Sequence, residues 1–139
     1  MLGPISRRAH GLTDYSYIPL VAASPYLVGF ASQPTPTRLA WVLAGVILAA
    51  SLFTRAEWGL FRVLPFKLHL VGDMGVGLIA AALPFLFGFA DQPAARNTFL
   101  VAGAFGLLAG LMSRPEEMPS IPGGSGRRLH EAGGVASGS

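Results

Sequence analysis

Four stretches of this chain carry no charged side chain, and this is the feature that most limits how the chain can fold. They are residues 15–37, 39–54, 74–90 and 97–113. A helix that crosses a bilayer needs roughly 20 mainly apolar residues. The second and fourth stretches are shorter and reach that length only if flanking side chains extend toward the headgroups or the bilayer thins locally. The pattern predicts four transmembrane helices.

A soluble helical protein is a poor alternative. Charged residues make up only 12% of the chain, whereas a soluble domain carries roughly 25%. A water-facing helix also needs a polar face, and these stretches are apolar on every side. The lipid bilayer is therefore the expected surrounding of the chain.

The basic residues predict the orientation in the membrane. Only Arg38 and Arg96 lie in the loops between the first and second and between the third and fourth predicted helices. The other eight of the ten Arg and Lys residues flank the opposite helix ends: Arg7, Arg8, Arg55, Arg62, Lys67, Arg114, Arg127 and Arg128. Because basic loops stay inside the cell, both termini and the central loop are expected in the cytoplasm. The protein is then a multi-pass protein of the cell (inner or plasma) membrane. Topology explains these charges, so no nucleic-acid partner is expected.

The chain also contains an internal duplication with an offset of 59 residues. The offset aligns His10 with His69, Asp14 with Asp73 and Pro25 with Pro84. It also aligns the sequence GFA at 29–31 and 88–90, and the sequence QP at 33–34 and 92–93. Apolar bias alone would not align residues as infrequent as His, Asp, Pro and Gln. Each copy contains two of the predicted helices, so each copy is a helical hairpin.

An even number of spans per copy means that both copies enter the membrane from the same side, as parallel repeats. The predicted fold is an all-α integral membrane four-helix bundle of two parallel tandem helical hairpins. Residues 1–117 form the transmembrane domain, with repeat 1 at about 8–57 and repeat 2 at about 67–116. Residues 118–139 are rich in Gly, Ser and Pro and are expected to be a flexible cytoplasmic tail.

The proline segments of the two copies, ASPYLVGFA at 23–31 and ALPFLFGFA at 82–90, resemble the SPW-repeat family of small prokaryotic membrane proteins. That repeat is a pair of transmembrane helices with a Ser-Pro-Trp motif in the first. Here the motif reads Ser24-Pro25-Tyr26 in the first copy and Leu83-Pro84-Phe85 in the second. The resemblance covers nearly all of residues 8–117. It implies the bacterial membrane architecture and no particular activity.

The repeated acids form the candidate polar site, together with nearby basic residues: His10, Asp14, His69, Asp73, Arg8 and Lys67. Each histidine lies four residues before an aspartate, so each pair shares one helix face. In the favoured interpretation the acids lie at headgroup depth and pair with Arg8, Lys67 or the histidines. In one alternative the pairs carry protons or an ion across the membrane. In another they bind a divalent metal, or the two histidines flank a haem iron. No residue is assigned as a metal ligand, and the cofactor stays undetermined.

Two further features concern helix shape and packing. Pro25 and Pro84 are expected to lie mid-helix and to produce a kink, because proline removes a backbone donor. Gly106 and Gly110 have the spacing of a helix-packing face, either inside the bundle or against another subunit.

An enzymatic role is not expected, because the sequence shows no nucleophile with a base, no phosphate-binding loop and no cysteine. The predicted function is a small non-enzymatic membrane protein with a structural or interaction role. It would pack as a homo-oligomer or within a larger membrane complex. The alternatives are a small transporter or proton pathway that uses the His-Asp pairs, and a metal- or haem-binding membrane protein.

Overall fold

The computed structural model describes residues 3–119. It contains the helices α1 (Arg7–Val28), α2 (Pro34–Phe53), α3 (Phe66–Leu86) and α4 (Pro93–Met112). No strand occurs in this part of the chain, which has only two isolated bridges. The protein is an all-α integral membrane four-helix bundle of two tandem hairpins, α1–α2 and α3–α4. Most of the predicted tail, residues 120–139, lies outside the described residues.

The turn inside each hairpin follows from the same residues in both copies. Gly29 and Gly88 have positive φ angles of 88° and 71°, which glycine adopts without strain. Pro34 and Pro93 then begin α2 and α4. Proline is favoured at the first position of a helix because the N–H that it lacks would have no partner there. Glycine therefore ends one helix and the repeated Gln-Pro sequence begins the next.

Three of the four helices, α2, α3 and α4, are long and apolar enough to cross a membrane. Helix α1 has 22 residues, but its first two turns carry Arg7, Arg8, His10 and Asp14, which lower its hydropathy. Its second half exposes Leu20 and Leu27, which are 58% and 70% accessible. Such exposure of large apolar side chains is expected where a helix faces lipid. That α1 also crosses the membrane remains a prediction.

Helices α3 and α4 approach each other most closely, through glycine. A Cβ atom added to Gly77 would lie 2.6 Å from the carbonyl oxygen of Gly103 and 2.8 Å from the backbone nitrogen of Leu107. One added to Gly110 would lie 2.8 Å from the carbonyl oxygen of Leu70. Small residues allow this contact between backbones. The sequence left open whether Gly110 packs inside the bundle or against another subunit. In the structure it packs inside the bundle, against α3.

Both ends of the described chain lie at the same end of the bundle. The N–H of Ile5 donates to the carbonyl of Met112 at 3.1 Å, and the N–H of Arg114 donates to the carbonyl of Ile5 at 2.9 Å. The Glu117 carboxylate accepts hydrogen bonds from the N–H groups of Phe66 and Lys67 at 3.0 and 2.9 Å. An acid is stabilising at such a helix N-terminus, so the segment after α4 fixes the start of α3.

The central loop is fastened to α1 at the same end. The Arg7 guanidinium binds both carboxylate oxygens of Glu57, at 2.7 and 3.0 Å. These hydrogen bonds from Arg7 hold the pKa of Glu57 below its usual value. The indole of Trp58 donates to the carbonyl of Arg8 at 3.1 Å and lies against Gly11. The central loop and the start of α1 are therefore joined at this end of the bundle.

Candidate functional site

The first two turns of α1 and α3 bring four ionisable side chains together, and we call this group the His–Asp cluster: His10, Asp14, His69 and Asp73. Their candidate ligand atoms all lie within 4.8 Å of one another. His10, Asp14 and His69 are buried, with exposures of 1%, 6% and 3%, and Asp73 is partly buried. The two repeated pairs therefore meet in one site between the hairpins.

Each aspartate lies closer to the histidine of the other repeat than to that of its own helix. Nε2 of His10 lies 2.9 Å from Oδ2 of Asp73, and Nε2 of His69 lies 3.0 Å from Oδ2 of Asp14. The pairs within α1 and within α3 are separated by 3.4 and 3.3 Å. The histidine of each repeat thus binds the aspartate of the other, as expected for two parallel repeats related by a twofold axis. The cluster joins the hairpins as well as neighbouring turns of one helix.

Two hydroxyl groups orient the imidazole rings. Oγ1 of Thr54 lies 2.9 Å from Nδ1 of His69 and donates to the carbonyl of Ala50 at 2.6 Å. Oγ of Ser113 lies 2.7 Å from Nδ1 of His10 and donates to the carbonyl of Ala109. Since each hydroxyl has a single hydrogen, its oxygen accepts from the ring. We therefore assign a proton to Nδ1 in both histidines.

This assignment leaves both Nε2 atoms facing the centre of the cluster, 3.3 Å apart. Asp14 also accepts a hydrogen bond from the hydroxyl of Ser51 at 3.3 Å. Phe66 closes the side of the site, with its ring 5.5 Å from that of His10 and 6.0 Å from that of His69. The polar groups are thus surrounded by the chain's own atoms.

The basic residues assigned to the site do not belong to it. Arg8 and Lys67 are exposed, and among the described residues neither forms an ion pair with Asp14 or Asp73. The acids were expected to pair with Arg8, Lys67 or the histidines, and the structure shows the last of these pairings. The histidines are the partners of the acids.

The space beside the cluster is small. A cavity of about 20 Å³ is lined by Asp14, Asp73 and apolar residues such as Leu43 and Phe105, and another of about 10 Å³ adjoins His10 and His69. About one water fits in such a volume. Neither cavity accommodates a porphyrin or an organic substrate, so the haem alternative does not fit this arrangement.

Pro25 and Pro84 are buried, but they lie in the last turn of α1 and α3, which end at Val28 and Leu86. The expected mid-helix position is therefore wrong, because the left-handed glycines end the helices soon after the prolines. The hydroxyl of Ser24 donates to the carbonyl of Val21, which Pro25 leaves free, at 2.8 Å. A kink at these prolines remains a prediction.

Sequence reasoning missed Thr54, Ser113 and Ser51. A signal for two of them was present, since the 59-residue offset also aligns Thr54 with Ser113. Serine and threonine near a helix end are common, so the alignment alone did not indicate contact with histidine. Ser51 aligns with Gly110, and the duplication therefore gave no signal for it.

Comparison with protein families gives a match to the SPW repeat domain over residues 8–113. The match includes both hairpins and all four members of the His–Asp cluster. It confirms the resemblance of the two proline segments to this family. Comparison with curated proteins and with solved structures gives no significant match.

Proposed function

We propose that this chain, which belongs to the SPW repeat family, is a non-enzymatic structural component of the cell membrane whose two hairpins are held together by the His–Asp cluster. The observation that carries the proposal is that the side chains of the cluster bind one another and two hydroxyl groups, so that each ring nitrogen has a partner. Both nitrogens of each imidazole lie within 3.0 Å of an oxygen atom from the same chain. Buried polar groups satisfied in this way stabilise one specific packing.

The distribution of ionisable groups supports a structural role over a transport pathway. Beyond Arg38 and Arg96 in their first turns, α2 and α4 carry no ionisable residue. A proton or ion leaving the cluster would meet no further acid, histidine or lysine along those helices. Ionisable groups within spans usually mark a transport route when they continue across the membrane. In the four described helices the acids and histidines all lie at one level, in the first two turns of α1 and α3.

The interaction part of the role rests on a groove between α1 and α4 of about 530 Å³. Its lining is mainly apolar but includes Ser24, Asn97 and Thr98. The exposed side chain of Asn97 favours contact with another helix, because lipid tails offer it no hydrogen bonds. Another copy of the chain or a larger membrane complex would supply that helix.

We also propose that both termini are cytoplasmic. The contacts between Ile5 and the end of α4 support a common side, and the basic residues support the inside. Reporter fusions after Ser139 and within the turn at residues 29–33 should report cytoplasmic and external locations, respectively. A fusion after Ser139 that is active only outside the cell would overturn this orientation.

Transport is the alternative that an experiment must exclude. We expect vesicles that contain the purified protein, loaded with a pH-sensitive dye, to show the same proton and K⁺ leak as protein-free vesicles under an imposed potential. Asp14→Asn and Asp73→Asn proteins serve as matched controls. A flux that exceeds the protein-free rate and is lost in both variants would contradict the structural role and favour a transporter.

A further inference from the structure

We propose that the His–Asp cluster binds one divalent transition-metal ion, with Zn²⁺ as the best match, between the two repeats. The inference deepens the proposed function, because a metal would fasten the same two hairpins. The ligands would be Nε2 of both histidines and one carboxylate oxygen of each aspartate. All four belong to residues on the first two turns of α1 and α3, so one ion would connect both repeats.

The distances between the ligand atoms suit a small tetrahedral ion. Zn²⁺ binds nitrogen and carboxylate oxygen at about 2.0–2.1 Å, and tetrahedral bonds of that length place ligand atoms about 3.3 Å apart. The Nε2 atoms of the two histidines are separated by 3.3 Å. The four nitrogen–oxygen distances in the cluster are 2.9, 3.0, 3.3 and 3.4 Å. All four ligand atoms lie within 4.8 Å of one another, so the two carboxylate oxygens would have to move closer together to complete a tetrahedral site.

Two hydroxyl groups hold the histidine rings in the orientation that metal binding requires. Metal-bound histidine usually donates its second ring N–H to an oxygen, which fixes the tautomer and the ring orientation. Thr54 and Ser113 accept such hydrogen bonds at Nδ1, at 2.9 and 2.7 Å. Nε2 of each ring then faces the centre of the cluster, where it can hold a proton or, once that proton leaves, a metal ion. A metal ion would displace the protons through which Nε2 donates to the aspartates, because a metal-bound imidazole nitrogen must be deprotonated.

Charge and ligand type indicate which ion fits. Two carboxylates balance a divalent cation, and a neutral site is favoured where burial makes a net charge costly. Imidazole suits Zn²⁺, Cu²⁺, Fe²⁺ and Ni²⁺, whereas Mg²⁺ and Ca²⁺ prefer oxygen ligands alone. Four protein ligands that leave no open position are typical of structural zinc sites. The geometry therefore indicates a structural ion and no hydrolytic centre.

The test uses the full chain without an affinity tag, purified in detergent and stripped with a chelator. A His130→Gln background removes the one histidine outside the cluster. Calorimetric titration with Zn²⁺ should give one ion per chain, and excess Mg²⁺ should not compete. Co²⁺ added to the same protein should give the strong visible absorption of four-coordinate cobalt. This measurement needs no variant in the cluster.

Variants then assign the ligands. His69→Gln and Asp14→Asn should each abolish stoichiometric binding. Ser113→Ala should weaken Zn²⁺ binding by about 10–100-fold, because it removes only the partner of a ligand. Ser16→Ala is the matched control, since Ser16 makes a similar bond to the carbonyl of Leu12 outside the cluster. It should bind as the parent does.

The proposal is overturned if the parent protein binds no Zn²⁺ at one ion per chain, or if Co²⁺ gives only the weak spectrum of an octahedral ion. It is also overturned if His69→Gln binds as tightly as Ser16→Ala. The structural function would survive these results, because its tests, vesicle leak and unfolding, are made without metal.

Discussion

Gly77→Ala should destabilise the bundle by about 1–3 kcal/mol, the usual cost of overpacking, although alanine is the better helix former by about 1 kcal/mol. The new methyl group would lie 2.6 Å from the carbonyl oxygen of Gly103 and 2.8 Å from the backbone nitrogen of Leu107. Both neighbours are backbone atoms, which cannot rotate away as a side chain can. Helices α3 and α4 would have to separate.

Gly75→Ala is the matched control, because Gly75 lies on the same helix with no atom within 4 Å of the added Cβ. It should be neutral or slightly stabilising. Unfolding of both variants in mixed detergent and SDS micelles, followed by tryptophan fluorescence, gives the comparison. Equal midpoints for the two variants would show that α3 and α4 do not pack through Gly77.

Asp14→Leu should be the most damaging substitution in the His–Asp cluster, with a loss of about 3–5 kcal/mol. That is the typical cost of removing one partner of a buried ion pair. Asp14 is 6% exposed and accepts from His69 and Ser51. Leucine would leave both of them without their acceptor. Asp14→Asn retains an acceptor oxygen and should cost less, about 1–3 kcal/mol.

Asp91→Asn is the control for these variants, because Asp91 is an exposed acid in the turn between α3 and α4. Its free energy of unfolding should change by less than about 0.5 kcal/mol. The same unfolding assay, run with a chelator, measures all three variants. The buried site would be refuted if Asp14→Leu lost no more stability than Asp91→Asn.

The helices could be predicted from the sequence because a helix that crosses lipid must consist mainly of apolar, uncharged residues. The runs without charge at 39–54 and 97–113 end within one residue of α2 and α4, whereas the run at 74–90 begins eight residues after α3 does, because Asp73 lies inside that helix. The duplication predicts that Asp14 and Asp73 lie at equivalent positions. The ends of the helices were harder to locate. Pro25 was expected mid-helix, whereas Gly29 ends α1 four residues later.

The partners of the acids could not be predicted from one-dimensional spacing. A spacing of four residues relates Asp14 to His10, but the shorter distance is to His69, 55 residues away in the chain. That contact depends on how α1 and α3 pack. The hydroxyl of Ser113 reaches His10 from 103 residues away for the same reason. The residue types in the cluster were therefore predictable, while their connections required the structure.

The central claim is that the two His-Asp pairs form one cluster, and a double-mutant cycle of Asp14→Asn and Asp73→Asn tests it most directly. The free energy of unfolding is measured in chelator for the parent, both single variants and the double variant. In a shared cluster the first substitution already weakens the interactions that the second would remove. We therefore expect the loss in the double variant to fall short of the sum by more than about 0.5 kcal/mol. Losses that add within about 0.3 kcal/mol would show two independent pairs and contradict the single cluster.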